Sequence, residues 1–270
     1  MHKERTSAPW FRRGRGSAVW GALLGEQAMH LVRLSRQADA HSVRVQAFEQ
    51  AQALPAPEVP DRDAPDHDAP DHDAPWWWPH MRRTARPGPS LGFRWGWPWA
   101  APAPLALAWS QACCQQGVLL WPGPADAPAL QAEVHLEAAT ALGLPPSEVL
   151  FDFLTHESWT HAATPVAEQE VAAVSVHWAA APRDEVFGTR QRLRAVGWRA
   201  THIEPEALAA RRAAECLLGE PGLPWAVPVR DWQFARRAQR SVSEAAWRAL
   251  QDSPHWGPLA ACGAALAVLA

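Results

Sequence analysis

The hydrophobic positions of this chain fall into blocks of different period. Val19-Trp-Gly-Ala-Leu-Leu24 and Ala28-Met-His-Leu-Val-Arg-Leu34 flank Gly25-Glu26-Gln27, which predicts two strands joined by a tight turn. Ser42-Val-Arg-Val-Gln-Ala-Phe48 alternates apolar with polar and adds a third strand, so residues 18–49 read as an antiparallel meander. The most regular pattern runs from about Ala129 to Arg212 and reads helix, strand, strand, helix, strand, helix. In its first helix Leu130, Val134, Ala138, Ala141 and Leu142 share one face, Asp126 is the expected N-cap, and Gly143 with Pro145-Pro146 stops it. Val149 to Leu154 is an expected strand, and the apolar run Val171 to Ala181 an expected buried one. Arg183 to Val196 follows as a helix with Pro182 at its start and Gly197 at its end, then a strand from Trp198 to Ile203 and a helix opened by Glu204-Pro-Glu.

Outside these blocks the signals are weaker. Leu105 to Trp109 and Gly117 to Trp121 are two short strand candidates joined by a loop that holds Cys113 and Cys114. Asp231 to Gln251 has helical spacing, and the apolar stretch from Leu259 is a further helix, too short for the roughly 20 residues that span a bilayer. Residues 1–17 form a basic tail with no sustained apolar core, so no signal peptide is expected there. Residues 50–99 carry the tandem Asp-His-Asp-Ala-Pro repeats and predict a disordered linker rich in Pro, Asp and Trp, because proline at every fifth position forbids a helix and charge prevents collapse.

Composition narrows the function classes. Of 270 residues 48% are hydrophobic, enough for a real core, and the net charge of −3 argues against a nucleic-acid binder, which needs a concentrated basic face. The 17 tryptophans include Trp76-Trp-Trp78 and Trp95-Gly-Trp-Pro-Trp99, read as a loop covering apolar surface rather than a base-stacking platform. Cys113, Cys114, Cys216 and Cys262 lack metal-ligand spacing, and a reducing, cytoplasmic setting is expected. His67 and His72 with their aspartates are ligands in kind, but a flexible repeat does not preorganise a metal site, so no metal is expected. In His156-Glu-Ser-Trp-Thr-His161 the second histidine is one residue too late for a shared helical face. Asp152 between Phe151 and Phe153 is expected to face solvent or a neighbouring loop. Neither a P-loop nor a nucleophile elbow occurs, so no catalytic residue is assigned and the chain is read as a non-enzyme.

Three pieces together resemble the type IV pilus assembly PilM family, related to the cell-division protein FtsA in the actin-like ATPase superfamily. They are Leu130 to Phe153 with its Leu144-Pro-Pro and Glu148-Val-Leu-Phe-Asp-Phe153, Val174 to Ala209, and Leu259 to Leu266. The resemblance implies an α/β (α+β) fold: a fragmentary actin-like (ribonuclease H-like) domain with a small inserted α+β subdomain over residues 100–197, and 198–270 as return strand and C-terminal helices. It also implies that the first hairpin stands where the family has its phosphate loop. Gly21 and Gly25 fall on the family's two glycines, but its acidic residue becomes Leu23, its serine Glu26 and its lysine His30. A leucine cannot hold a magnesium ion and a glutamate repels phosphate, so no cofactor is expected. What the resemblance leaves is an adaptor at the cytoplasmic side of the inner membrane that binds the tail of an inner-membrane pilus protein. The alternative is a residual ATP-binding member of the same machinery.

Overall fold

A computed structural model describes residues 18–37, 42–53, 75–85, 103–122, 128–157, 174–218, 227–235 and 242–269. The meander forms as expected: β1 (Ala18–Leu24) pairs antiparallel with β2 (Ala28–Arg36), and β2 with β3 (Ser42–Gln52). The turn closes through a hydrogen bond from the Gly25 amide to the Ala28 carbonyl at 2.9 Å. Two further strands run parallel to β1 on its other side, β4 (Ala103–Trp109) and then β8 (Trp198–Pro205). With the short β9 (Gln233–Ala235) against β3, the sheet has the order β8-β4-β1-β2-β3-β9. This is the mixed α/β architecture that the sequence predicts.

Alternation along the strands gives this sheet two apolar faces, as a layered α/β fold requires. One face carries Ala22, Met29, Leu31, Leu105 and Leu107 and is covered by α1 (Trp78–Ala85) and α3 (Arg183–Ala195). The other carries Val19, Leu23, Val32, Leu34 and Ala106 and is covered by α4 (Glu206–Leu217), α5 (Glu244–Gln251) and α6 (Trp256–Leu269). Helix α6 can lie very close because of the small residues between it and its neighbours. A Cβ on Gly21 would stand 2.0 Å from the Ala261 carbonyl oxygen, and one on Gly263 would stand 1.6 Å from that of Ala209.

A second, three-stranded sheet is inserted between β4 and α3. Its order is β5-β7-β6, from β5 (Gln115–Trp121), β6 (Val149–Glu157) and β7 (Val174–Pro182). Helix α2 (Pro128–Leu142) covers one face with Leu130, Val134 and Ala138 against Val176, Trp178 and Ala180. Gly143, at φ 65°, and Gly197, at φ 94°, end α2 and α3 as their positions predict, since only glycine takes such angles without strain.

Several expectations are sharpened or change. The candidates 105–109 and 117–121 both form strands but in different sheets: β4 enters the large sheet beside β1, and β5 enters the small one beside β7. The three-stranded sheet with its helix thus spans 115–182, inside the expected 100–197, while β4 and α3 belong to the large sheet's layers. The expected linker 50–99 begins inside β3 and contains α1, because Trp77 and Met81 are buried on the large sheet and the Trp198 indole donates to the Met81 carbonyl at 2.9 Å. The expected helix from Asp231 starts only at Glu244; Trp232 and Phe234 are buried while Gln233 is exposed, a period of two that makes this a strand. The run at β7 is buried on one face only, with His177 exposed on the other. Asp126 and the tandem repeats with His67 and His72 lie outside the described residues.

Candidate functional site

The hairpin residues singled out in the sequence separate into two groups. Gly21, Leu23 and His30 project toward α6, because Leu23 and His30 are directly opposed in the β1–β2 register and Gly21 is two residues before Leu23. Leu23 is 6% exposed and His30 is 7% exposed, so both belong to the core beneath α6. The His30 ring packs so closely on Gly257 that a Cβ there would stand 2.2 Å from it, and it stacks on Phe48 with centroids 6.4 Å apart. Its Nδ1 is buried with no hydrogen-bond partner, and burial pulls the imidazole down to about 4. The ring is therefore neutral near pH 7 and cannot replace the positive charge of a phosphate-binding lysine. Gly21 provides the close approach of α6 described above. Gly25 and Glu26, by contrast, sit in the turn at the carboxyl end of β1, with Glu26 exposed.

Beside that turn lies a hollow of about 370 Å³ at the carboxyl ends of β1 and β4. Its walls are Leu24, Trp76, Trp77 and Trp109, with Glu26, Ser110, Cys113, Thr189 and Arg192 at polar positions. Trp77 and Trp109 are each 7% exposed, so the described part of the first tryptophan tract covers apolar surface. Burial first, then the nearby carboxylates of Glu185, Glu26 and Glu206, push the Cys113 thiol up. Burial and Glu206 push the Cys114 thiol up to about 11. Both stay protonated near neutrality, unlike the lowered thiols of reactive cysteines.

The open cleft lies elsewhere, between the two sheets. A groove of about 300 Å³ is bounded on one side by Ala200 to Pro205 of β8, the edge strand of the large sheet. On the other side are Leu150, Phe151 and Asp152 of β6 with Ala179, Ala180 and Ala181 of β7. Val186 and Arg190 of α3 together with Trp109 and Cys114 complete it. Asp152, expected on solvent or a loop, is exposed on this groove, and its Oδ1 accepts the Phe153 amide at 2.9 Å. His156 lies in β6, whereas His161 falls outside the described residues.

One carboxylate in the wall is held rigidly. Glu204 is 8% exposed, accepts a hydrogen bond from Arg212, and has His202 Nε2 3.5 Å away. Burial alone would raise its pKa, but the contacts with His202 and Arg212, and their charge, outweigh burial and hold it below the usual carboxylate range. Arg212 also donates to the Gly263 carbonyl at 3.1 Å, tying the groove wall to α6. Sequence alone does not single out this pair. Its members are eight positions apart, and only the turn from β8 into α4 brings them together.

Among the described residues the groove thus offers an unpaired strand edge, small alanines that leave room, and charges of both signs in Asp152 and Arg190. Such a cleft is suited to an extended peptide, which adds to a free edge through its backbone.

No family model matches this sequence, and no curated protein does. Among solved structures, a PilM-PilN type IV pilus biogenesis complex is similar at 18% identity and a TM-score of 0.45, over 73% of this chain and 50% of that one. The cytoplasmic domain of EpsL, an inner membrane component of the type II secretion system of Vibrio cholerae, is similar at 11% identity and a TM-score of 0.40. That match covers 72% of this chain and 59% of the other, so the chain spans between half and three-fifths of these structures' length.

Proposed function

We propose that this protein is a non-catalytic adaptor in the assembly of a type IV pilus, or of a related secretion or competence machine. It holds the cytoplasmic tail of an inner-membrane pilus protein in the groove between the two sheets. It is thereby cytoplasmic and peripheral to the inner membrane. The observation that carries this reading is the groove itself, walled by the edge strand β8 on one side and by β6 and β7 on the other. The three resembling sequence pieces supply the machinery, and among the described residues no helix is long and apolar enough to cross a membrane. The hairpin supports binding without nucleotide, since Leu23 and His30 are built into the core and an acidic residue, Glu26, is exposed at the turn.

Isothermal titration with a synthetic tail peptide of the membrane partner tests this. Saturable binding is expected, and Ala179→Trp, which fills the groove, abolishes it. No binding at high micromolar peptide sinks the proposal. Titration with Mg-ATP separates the alternative, because saturable nucleotide binding would make the chain a residual ATP-binding member of that machinery instead.

A further inference from the structure

The two helical layers of the large sheet hold their arginines in opposite ways. Each arginine of α4, α5 and α6 has a carboxylate within reach: Arg211 pairs with Glu215, Arg212 with Glu204 and Arg248 with Glu244. On the other layer α1 carries Arg82 and Arg83, and α3 carries Arg183, Arg190, Arg192 and Arg194. All six are exposed, and among the described residues none of them is in an ion pair. Arg192 donates to the Thr189 hydroxyl at 3.1 Å, which leaves its charge uncompensated. The acidic residues of these two helices are Asp184 and Glu185, both in the first turn of α3, where they complement the helix dipole.

The arrangement on α3 is directional. Val186, Thr189 and Leu193 are buried, while Arg183, Phe187, Arg190 and Arg194 recur at i, i+4, i+7 and i+11 and share another side of the helix. Phe187 stands in the middle of this stripe and is 45% exposed. Arg190 and Arg194 are one turn apart, a like-charge pair that by itself weakens a helix. The fold gains nothing from these cations around an open aromatic ring, whereas a polyanionic surface with an apolar interior gains from both.

We propose that this layer rests on an anionic bilayer, with the arginines among the phosphates of the lipid headgroups and the Phe187 ring at the boundary with the acyl chains. Arginine suits that role because its guanidinium stays charged and forks onto phosphate oxygens. Nucleic acid is the other common polyanion. The charges here are spread over two helices on one face of the sheet, around an apolar ring, which favours a broad surface with an apolar layer beneath it. The placement also suits the groove. Helix α3 borders it through Val186 and Arg190, so a bilayer held against this layer lies beside the groove that takes a membrane protein's tail under the proposed function.

Co-sedimentation of the full chain with vesicles tests this. The vesicles carry no protein, so the outcome does not depend on whether the groove holds a peptide. Vesicles of phosphatidylethanolamine with phosphatidylglycerol should pull the chain down at low salt, and vesicles of phosphatidylcholine alone should not. About 1 M salt, where screening acts within roughly 3 Å, should release it. Arg183→Gln combined with Arg194→Gln should weaken vesicle binding about tenfold or more, at roughly fivefold per arginine. Both side chains are exposed, so the melting curve should not move. Arg230→Gln combined with Arg248→Gln removes the same charge from exposed sites outside this layer, and should leave binding unchanged. Phe187→Ser keeps the charge and should weaken binding about fivefold, as partial burial of a phenyl ring requires. Failure to bind the anionic vesicles overturns the inference, as do equal losses from the two double variants or an unaffected Phe187→Ser. So does retention of duplex DNA through the same arginines by a chain that ignores the vesicles.

Discussion

His30 makes the stability of this fold fall in mild acid. Its imidazole lies between Phe48 and Gly257 with Nδ1 unpartnered, and its pKa falls from 6.5 to about 4 on folding. Between those two values the unfolded chain takes up a proton that the folded chain refuses. Stability is therefore highest above the unfolded value, declines as pH drops through 6.5, and stops declining below the folded value. Linkage with these two values gives a loss of about 2 kcal/mol on going from pH 7 to about pH 5. The assay is urea unfolding at pH 7, 6 and 5, on the natural chain and on His30→Leu. Leucine keeps an apolar group against Gly257 and removes the titration, so its midpoint should fall much less over the same range. Equal declines for both proteins would refute the reasoning, and would mean that the ring is solvated or partnered when folded.

Three other substitutions probe the packing around the same helix and groove. Arg212→Met leaves Glu204 buried without its main partner; a loss of about 2 kcal/mol is expected near pH 7 in thermal melts, shrinking in acid as the carboxyl protonates. An unchanged melting temperature near neutrality would show that the pair is solvated. Gly21→Ala drives a Cβ onto the Ala261 backbone, and about 3 kcal/mol of destabilisation is expected by chemical denaturation, since the clash is with main chain rather than a movable side chain. Trp198→Phe removes the hydrogen bond to the Met81 carbonyl, and should cost about 1–2 kcal/mol while speeding proteolysis near α1.

The elements legible in the sequence are those whose punctuation is local. The β1–β2 turn is marked by Gly25, α3 by Pro182 and Gly197, and α2 by Gly143, and each signal acts within a few residues of where it stands. What the sequence does not disclose depends on distant partners. The strings around Trp109 and Val118 look alike, yet one is chosen by β1 and the other by β7. Helix α1 is too short to persist alone, so its existence rests on Trp77, Met81 and the Trp198 indole, whose joint burial no local pattern announces. The groove is hidden for the same reason: Asp152, Arg190 and Thr201 meet only after the insert folds back on β8.

The fate of the hairpin follows from one choice of packing. Gly21, Gly257 and Gly263 each remove a side chain that would otherwise collide with main chain or with the His30 ring, and together they let α6 settle onto β1, β2 and α4. Once a helix lies that close, the face of the hairpin beneath it can accept only apolar or neutral groups, because a charge there would be buried without a partner. Leu23 and neutral His30 meet that condition, whereas an aspartate and a lysine would not. The hairpin's inner face is thus committed to the core, and only the turn at Gly25 and Glu26 remains open. The groove is under the opposite constraint: Ala179, Ala180 and Ala181 leave space that larger residues would close, and β8 keeps an unpaired edge beside it among the described residues. The same fold therefore buries the inner face of the hairpin under α6 and, among the described residues, leaves a groove of about 300 Å³ between β8 and the small sheet.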